Sequence, residues 1–198
     1  MELSFALGND PALFPPLLRR LREAADQLQL FGAETADRVD LVLQEALLNG
    51  IYHGNLELDS DLRERGEAAY YRLAERRRQL PRYRDRRLHV LALLTRAEAV
   101  YIIRDEGPGF DPSLLPDPTA PANLERASGR GLLLIRALMD EVAFNAAGNQ
   151  ITMTKRRPGP PDAPHRQPPP PGSQLTRSPA NQDAPLAPNE ASRDCWAG

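Results

Sequence analysis

Three side chains able to do chemistry stand in file. Glu45, Asn49 and His53 recur at every fourth residue of Leu43-Gln44-Glu45-Ala46-Leu47-Leu48-Asn49-Gly50-Ile51-Tyr52-His53-Gly54. On a helix that spacing puts a carboxylate, an amide and an imidazole on one side. Val39, Val42, Leu43 and Ala46 supply an apolar side that can face a sheet. Polar groups on a half-buried helix must find partners. By itself the file reads equally as a polar surface stripe or as one wall of a site.

Two glycine-bearing stretches bear on that choice. Asp105-Glu106-Gly107-Pro108-Gly109 follows an apolar run. A strand-end aspartate can accept a hydrogen bond from an exocyclic amine such as adenine N6, and the glycines let backbone pass close to a flat ring. Asp-x-Gly is also ordinary turn chemistry. Further on, Gly129-Arg130-Gly131-Leu132 opens a helical pattern. Free N–H groups at a helix start form an anion site, and Arg130 could add a charge-assisted contact to a phosphate. No Gly-Lys-Ser/Thr follows, so this is not a Walker-type phosphate loop. A tight loop-to-helix turn is the plain alternative.

The elements that must position these residues follow from periodicity. Glu2 to Leu7 predicts an edge strand ending at Gly8-Asn9-Asp10. Pro15 and Pro16 suit a helix's first turn, with apolar residues at helical spacing through about Leu30. The central helix is expected from about Glu34 to His53, with Gly54 taking a left-handed C-terminal conformation. Leu88 to Thr95 and Ala99 to Arg104 predict two strands of a hairpin turning at Arg96-Ala97-Glu98. A proline-spotted loop to about Ser128 suits a surface loop or a lid. Leu132 to Asp140 predicts a helix, and Glu141 to Ala146 and Gln150 to Lys155 two closing strands joined at Gly148-Asn149.

Composition sets the outer limits. Charge is balanced, with 25 Lys+Arg against 27 Asp+Glu, which gives no electrostatic case for nucleic acid or an anionic membrane. The single cysteine, Cys195, rules out a disulfide framework within the chain and fits a reducing cytoplasm. The N-terminus has no signal-peptide pattern, and no apolar run approaches the roughly 20 residues needed to span a bilayer. A basic stretch at about 56–87 carries ten arginines against five acids from Asp61 to Arg87. It reads as a charged, mostly exposed helix ended by Pro81, either a solvated face or a docking surface for a protein. From Pro158 onward lie 11 of the 20 prolines, a composition expected to stay disordered. Residues 1–156 therefore form one expected domain, with 157–198 as a tail.

Taken in order, the three chemistry-bearing stretches resemble the nucleotide site of the Bergerat-fold ATPase superfamily. Within it, Ser128 to Val142 is particularly similar to the anti-sigma-factor serine/threonine kinases of bacterial partner-switching systems. The resemblance covers about residues 2–156. It implies an α+β two-layer sandwich, a mixed and mostly antiparallel sheet covered on one face by helices. It implies ATP and Mg²⁺ as cofactors. Asn49 would hold the magnesium, and Glu45 would be the general base toward the attacking hydroxyl. Asp105 would recognise adenine, with Gly107 and Gly109 shaping its pocket. Ser128, Gly129, Arg130, Gly131 and Leu132 would cradle the phosphates. His53 would close the polar file, either toward the nucleotide or as a structural histidine. The implied partners are a STAS-type anti-anti-sigma protein and a sigma factor, and a homodimer is compatible.

Departures from the pattern bear on the partner more than on the nucleotide. Leu133 stands where many relatives have a further glycine, which suits the anti-sigma kinases. Asn149 and Gln150 stand where those kinases usually have threonine, and the basic insert is longer than the typical connection. One alternative is an ATP-binding regulatory module without kinase turnover. Another is a histidine-kinase catalytic domain, but the only histidines, 53, 89 and 165, lie in no phospho-acceptor context.

Overall fold

The structure is a computed structural model describing residues 1–59, 62, 66–114 and 130–159, with Leu114 and Arg130 as backbone only. Five strands form one sheet: β1 (Glu2–Leu7), β2 (Leu88–Leu94), β3 (Glu98–Arg104), β4 (Glu141–Phe144) and β5 (Gln150–Arg156). Their order is β1-β2-β3-β5-β4, so β1 and β4 are the edges and β3 is central. All four pairings are antiparallel. The mixed sheet allowed for in the sequence therefore has no parallel pair among the described residues. This follows from the connections: β2–β3 and β4–β5 are hairpins, which antiparallel strands alone permit at that length.

Period-2 alternation decides which face is covered. Leu88, Val90, Ala92 and Leu94 on β2, and Ala99, Tyr101 and Ile103 on β3, are buried under the helices. Among the described residues, five α-helices supply that layer: α1 (Phe14–Gln27), α2 (Ala33–Asn49), α3 (Glu67–Gln79), the short α4 (Pro81–Arg84) and α5 (Arg130–Leu138). Pro15 and Pro16 sit in the first turn of α1, where their missing N–H groups cost nothing. That helix stops at Gln27 rather than Leu30, because Gln29 turns left-handed at φ +50°. Leu30 nevertheless reaches the core. On α2, Val39, Val42, Leu43, Ala46 and Leu47 face the sheet as their spacing requires.

The end of the central helix corrects the expectation. The α-helix stops at Asn49, and a π-helical turn runs through Gly50–Asn55. Gly54 lies inside that turn and is not left-handed. Glu57 takes that conformation instead, at φ +53°. The glycine is required by space: a Cβ at Gly54 would overlap the Asp105 carboxylate, and one at Gly50 would overlap Leu88.

The basic insert is the charged, mostly exposed helix expected of it, yet it is more than a solvated face. Leu80 takes an extended conformation before Pro81, which ends α3 as anticipated. But Tyr70, Ala74 and Tyr83 are buried in the core, as are Leu56 and Leu58 at its start. Arg77, Arg82 and Arg86 surround the Tyr83 ring at 5.4, 5.3 and 5.2 Å from its centroid. Arg86 and Arg82 also bind the Glu57 carboxylate at 2.8 and 3.0 Å. Burial opposes the Glu57 charge, but these guanidinium groups outweigh it and hold the carboxyl below its ordinary range. Arg77 donates to the carbonyl oxygens of Leu56, at 2.7 Å, and Glu57. The insert's cations thus tie down the chain leaving the π turn.

Two expectations fall outside the described residues. The tail is described only as far as Gly159, and most of the loop between Phe110 and Ser128 lies beyond the short 3₁₀ turn at Pro112–Leu114. Among the described residues, no helix is long and apolar enough to cross a membrane.

Candidate functional site at the end of the central helix

Four segments converge: the end of α2, its π turn, the loop after β3, and the start of α5. Packing of α2 against α5 brings Glu45 to Gly131, where an added Cβ would collide with the Glu45 carboxylate. Glu45 and Asn49 are both half-buried. Neither side chain makes a hydrogen bond to another described residue. A half-buried carboxylate and amide without partners among the described residues are groups open to a ligand or water. π turns within α-helices recur at functional sites, and this one begins immediately after Asn49.

Asp105 stands at the end of β3. Its Oδ1 accepts from the Gly107 N–H at 2.8 Å, which fixes the carboxylate's direction. Burial pushes its carboxyl above the ordinary aspartate range. Two glycines make the close packing here feasible. Gly54 leaves room for the Asp105 carboxylate, and Gly107 leaves room for the Gly54 carbonyl. The result is a bare backbone surface beside a half-buried acceptor, suited to a flat ring with an exocyclic amine. Gly109 has a different reason. It is left-handed at φ +73° and packs on the Ala147 carbonyl of the β4–β5 turn. Phe110 N–H donates to that same carbonyl at 3.1 Å, so the turn and the post-β3 loop hold each other.

Not every expected site residue is brought in. His53 is exposed, with Nδ1 2.7 Å from the Leu58 carbonyl oxygen, because the π turn breaks the α-helical file after Asn49. Ser128 and Gly129 lie outside the described residues, and Arg130 is seen only as backbone opening α5. Leu132 is half-buried and packs on the core.

The structure adds residues that motif reading passed over. Asn149 donates from Nδ2 to the Asp105 carbonyl at 3.2 Å, and its own carbonyl accepts from Asp105 N–H at 3.0 Å. Asn145 in turn donates to Asn149 Oδ1 at 2.8 Å. The signal was present in the sequence as the substitution at 149 and 150. Asn55 was not flagged at all, yet it is fully buried and bonded to the Asp105–Glu106 loop.

The profile of the histidine kinase-like ATPase domain matches residues 7–155, a span holding every residue of this site. The chain belongs to that family. Histidine kinase-like ATPase domains bind ATP, usually with Mg²⁺. A comparison with curated proteins finds no match. The donor set fits the group. No cluster of three or more His, Cys, Asp or Glu among the described residues could hold a metal ion alone. Magnesium seldom needs one, since it keeps waters and takes substrate phosphates with one or two protein oxygens. The Asn49 amide oxygen is available for that part.

Proposed function

We propose that this histidine kinase-like ATPase domain is an ATP-dependent protein serine/threonine kinase of the partner-switching type. Its substrate would be a STAS-type anti-anti-sigma protein, and it would also sequester a sigma factor. The observation that carries this is Glu45: a carboxylate without a partner among the described residues, against the opening of α5 and one turn before Asn49. Asp105 would accept from the adenine amine and so orient the nucleotide. The N–H groups at the start of α5 would face the phosphates. Bound magnesium would neutralise phosphate charge, held on the protein side by Asn49. Glu45 would take the proton of the attacking serine or threonine hydroxyl as its oxygen bonds to the γ-phosphorus. The bond from that phosphorus to the β–γ bridging oxygen breaks, and ADP leaves.

The test is phosphate transfer from labelled Mg-ATP to purified STAS proteins. Glu45→Gln should keep ATP binding and lose about 10²–10⁴-fold in transfer rate. Transfer to no STAS protein, with Glu45→Ala indistinguishable from wild type, would sink the kinase assignment. A second reading has its own support, since the insert is built into the core and tied to the nucleotide loop. It is an ATP-binding regulatory module acting through protein contacts. Tight nucleotide binding with no transfer to any candidate protein would favour it.

A further inference from the structure

One buried polar chain runs from the insert to the nucleotide loop, and its polarity is fixed from both ends. The Tyr83 carbonyl can only accept, so Asn9 presents Nδ2 to it, at 2.8 Å, and turns Oδ1 the other way. Asn55 must then present Nδ2 to Asn9 Oδ1, also at 2.8 Å. That leaves Asn55 Oδ1 to accept from the Glu106 N–H at 2.8 Å. Asn55 is 0 % exposed and Asn9 7 %, so no bulk water can replace a lost partner. Arg86 of the insert secures the Asn55 backbone through its carbonyl at 2.7 Å. Asn55 thus joins the turn after β1, the end of the π turn and the residue beside Asp105.

Resting on the nucleotide site proposed above, we infer that Asn55 is a positioning residue for base recognition. Its amide holds the Asp105–Glu106 peptide against the π turn. That keeps Gly54 under the Asp105 carboxylate and aims the carboxylate at the base. The chain needs one donor and one acceptor at this position, and the amide supplies both. Ionised aspartate has nearly the same shape and still accepts from Glu106, but it sets an acceptor against Asn9 Oδ1. If Asn9 turned to correct this, its oxygen would face the Tyr83 carbonyl.

The test compares Asn55→Asp with wild type by calorimetry, using Mg-ATP and Mg-tripolyphosphate, at a temperature where both proteins are folded and a pH high enough to ionise the introduced carboxyl. ATP affinity should fall about tenfold or more while tripolyphosphate affinity is unchanged, because the phosphates do not touch Asp105. The preference for ATP over GTP should narrow in parallel. An unchanged ATP affinity, or an equal fall for both ligands, would overturn the role. Wild-type protein that binds no ATP would overturn the nucleotide site and this role with it. Wild type that binds beside an unaffected variant overturns this role alone. If Asn55→Asp does not fold, hydrogen exchange in nucleotide-free wild type decides. The Glu106 amide should exchange at least about tenfold slower than a free peptide, and exchange at the free-peptide rate would refute the bond.

Discussion

Asp105 pulls stability and binding in opposite directions. Burial raises its carboxyl pKa in the folded state above the unfolded value. The folded protein therefore holds that proton more tightly, and the ionised form is the one the fold tolerates less. The stabilising contribution is present below the ordinary aspartate range and is lost as pH rises through the folded-state value. Asp105→Asn should melt at a higher temperature than wild type at neutral pH. The gap should close as pH falls toward roughly 4, the unperturbed aspartate value. The same variant should lose ATP binding, because an amide that keeps its oxygen on Gly107 turns a donor toward the adenine amine. A variant that melts lower at neutral pH and still binds ATP would refute the assignment.

At the scale of elements, the π turn and the insert act as one unit. Gly54→Ala has no space between its own turn and Asp105. It should cost about 1–3 kcal/mol in urea unfolding, an overpacking penalty, and weaken ATP binding at the same time. Tyr83 is buried under three guanidinium groups. Tyr83→Ala should destabilise by at least about 3 kcal/mol in the same assay. A loss under about 0.5 kcal/mol would return the insert to the status of a solvated appendage. A second aromatic set joins α3 to the π turn, where Tyr52, Tyr70 and Tyr71 lie with ring centroids 5.5–6.0 Å apart.

For the whole molecule, nucleotide binding and folding are linked. Mg-ATP at about 100 times its dissociation constant should add about 2.7 kcal/mol of stability and raise the melting temperature. Chelating the magnesium should remove most of that gain, since the Asn49 oxygen then has no ion to hold. A melting temperature indifferent to Mg-ATP would argue that the pocket has lost its ligand.

Much of this protein was legible in its sequence. Period-2 and period-3.6 patterns located the five described strands and helices α1, α2 and α5, because burial of alternate or every third and fourth residue is a local property. Spacing singled out Glu45, Asn49, Asp105 and Gly131 as candidates, each in a short motif on one element, and only the resemblance gave them roles. Tertiary structure decided the rest. Gly54 carries no local sign of whether it ends a helix left-handed or gives way to a carboxylate 51 residues on. Arginine periodicity in the insert cannot reveal that three of those side chains close over Tyr83 and two over Glu57. Asn55 follows a motif without belonging to it. Its partners are Asn9 and Glu106, 46 and 51 residues away, and only the folded chain brings them within hydrogen-bonding distance.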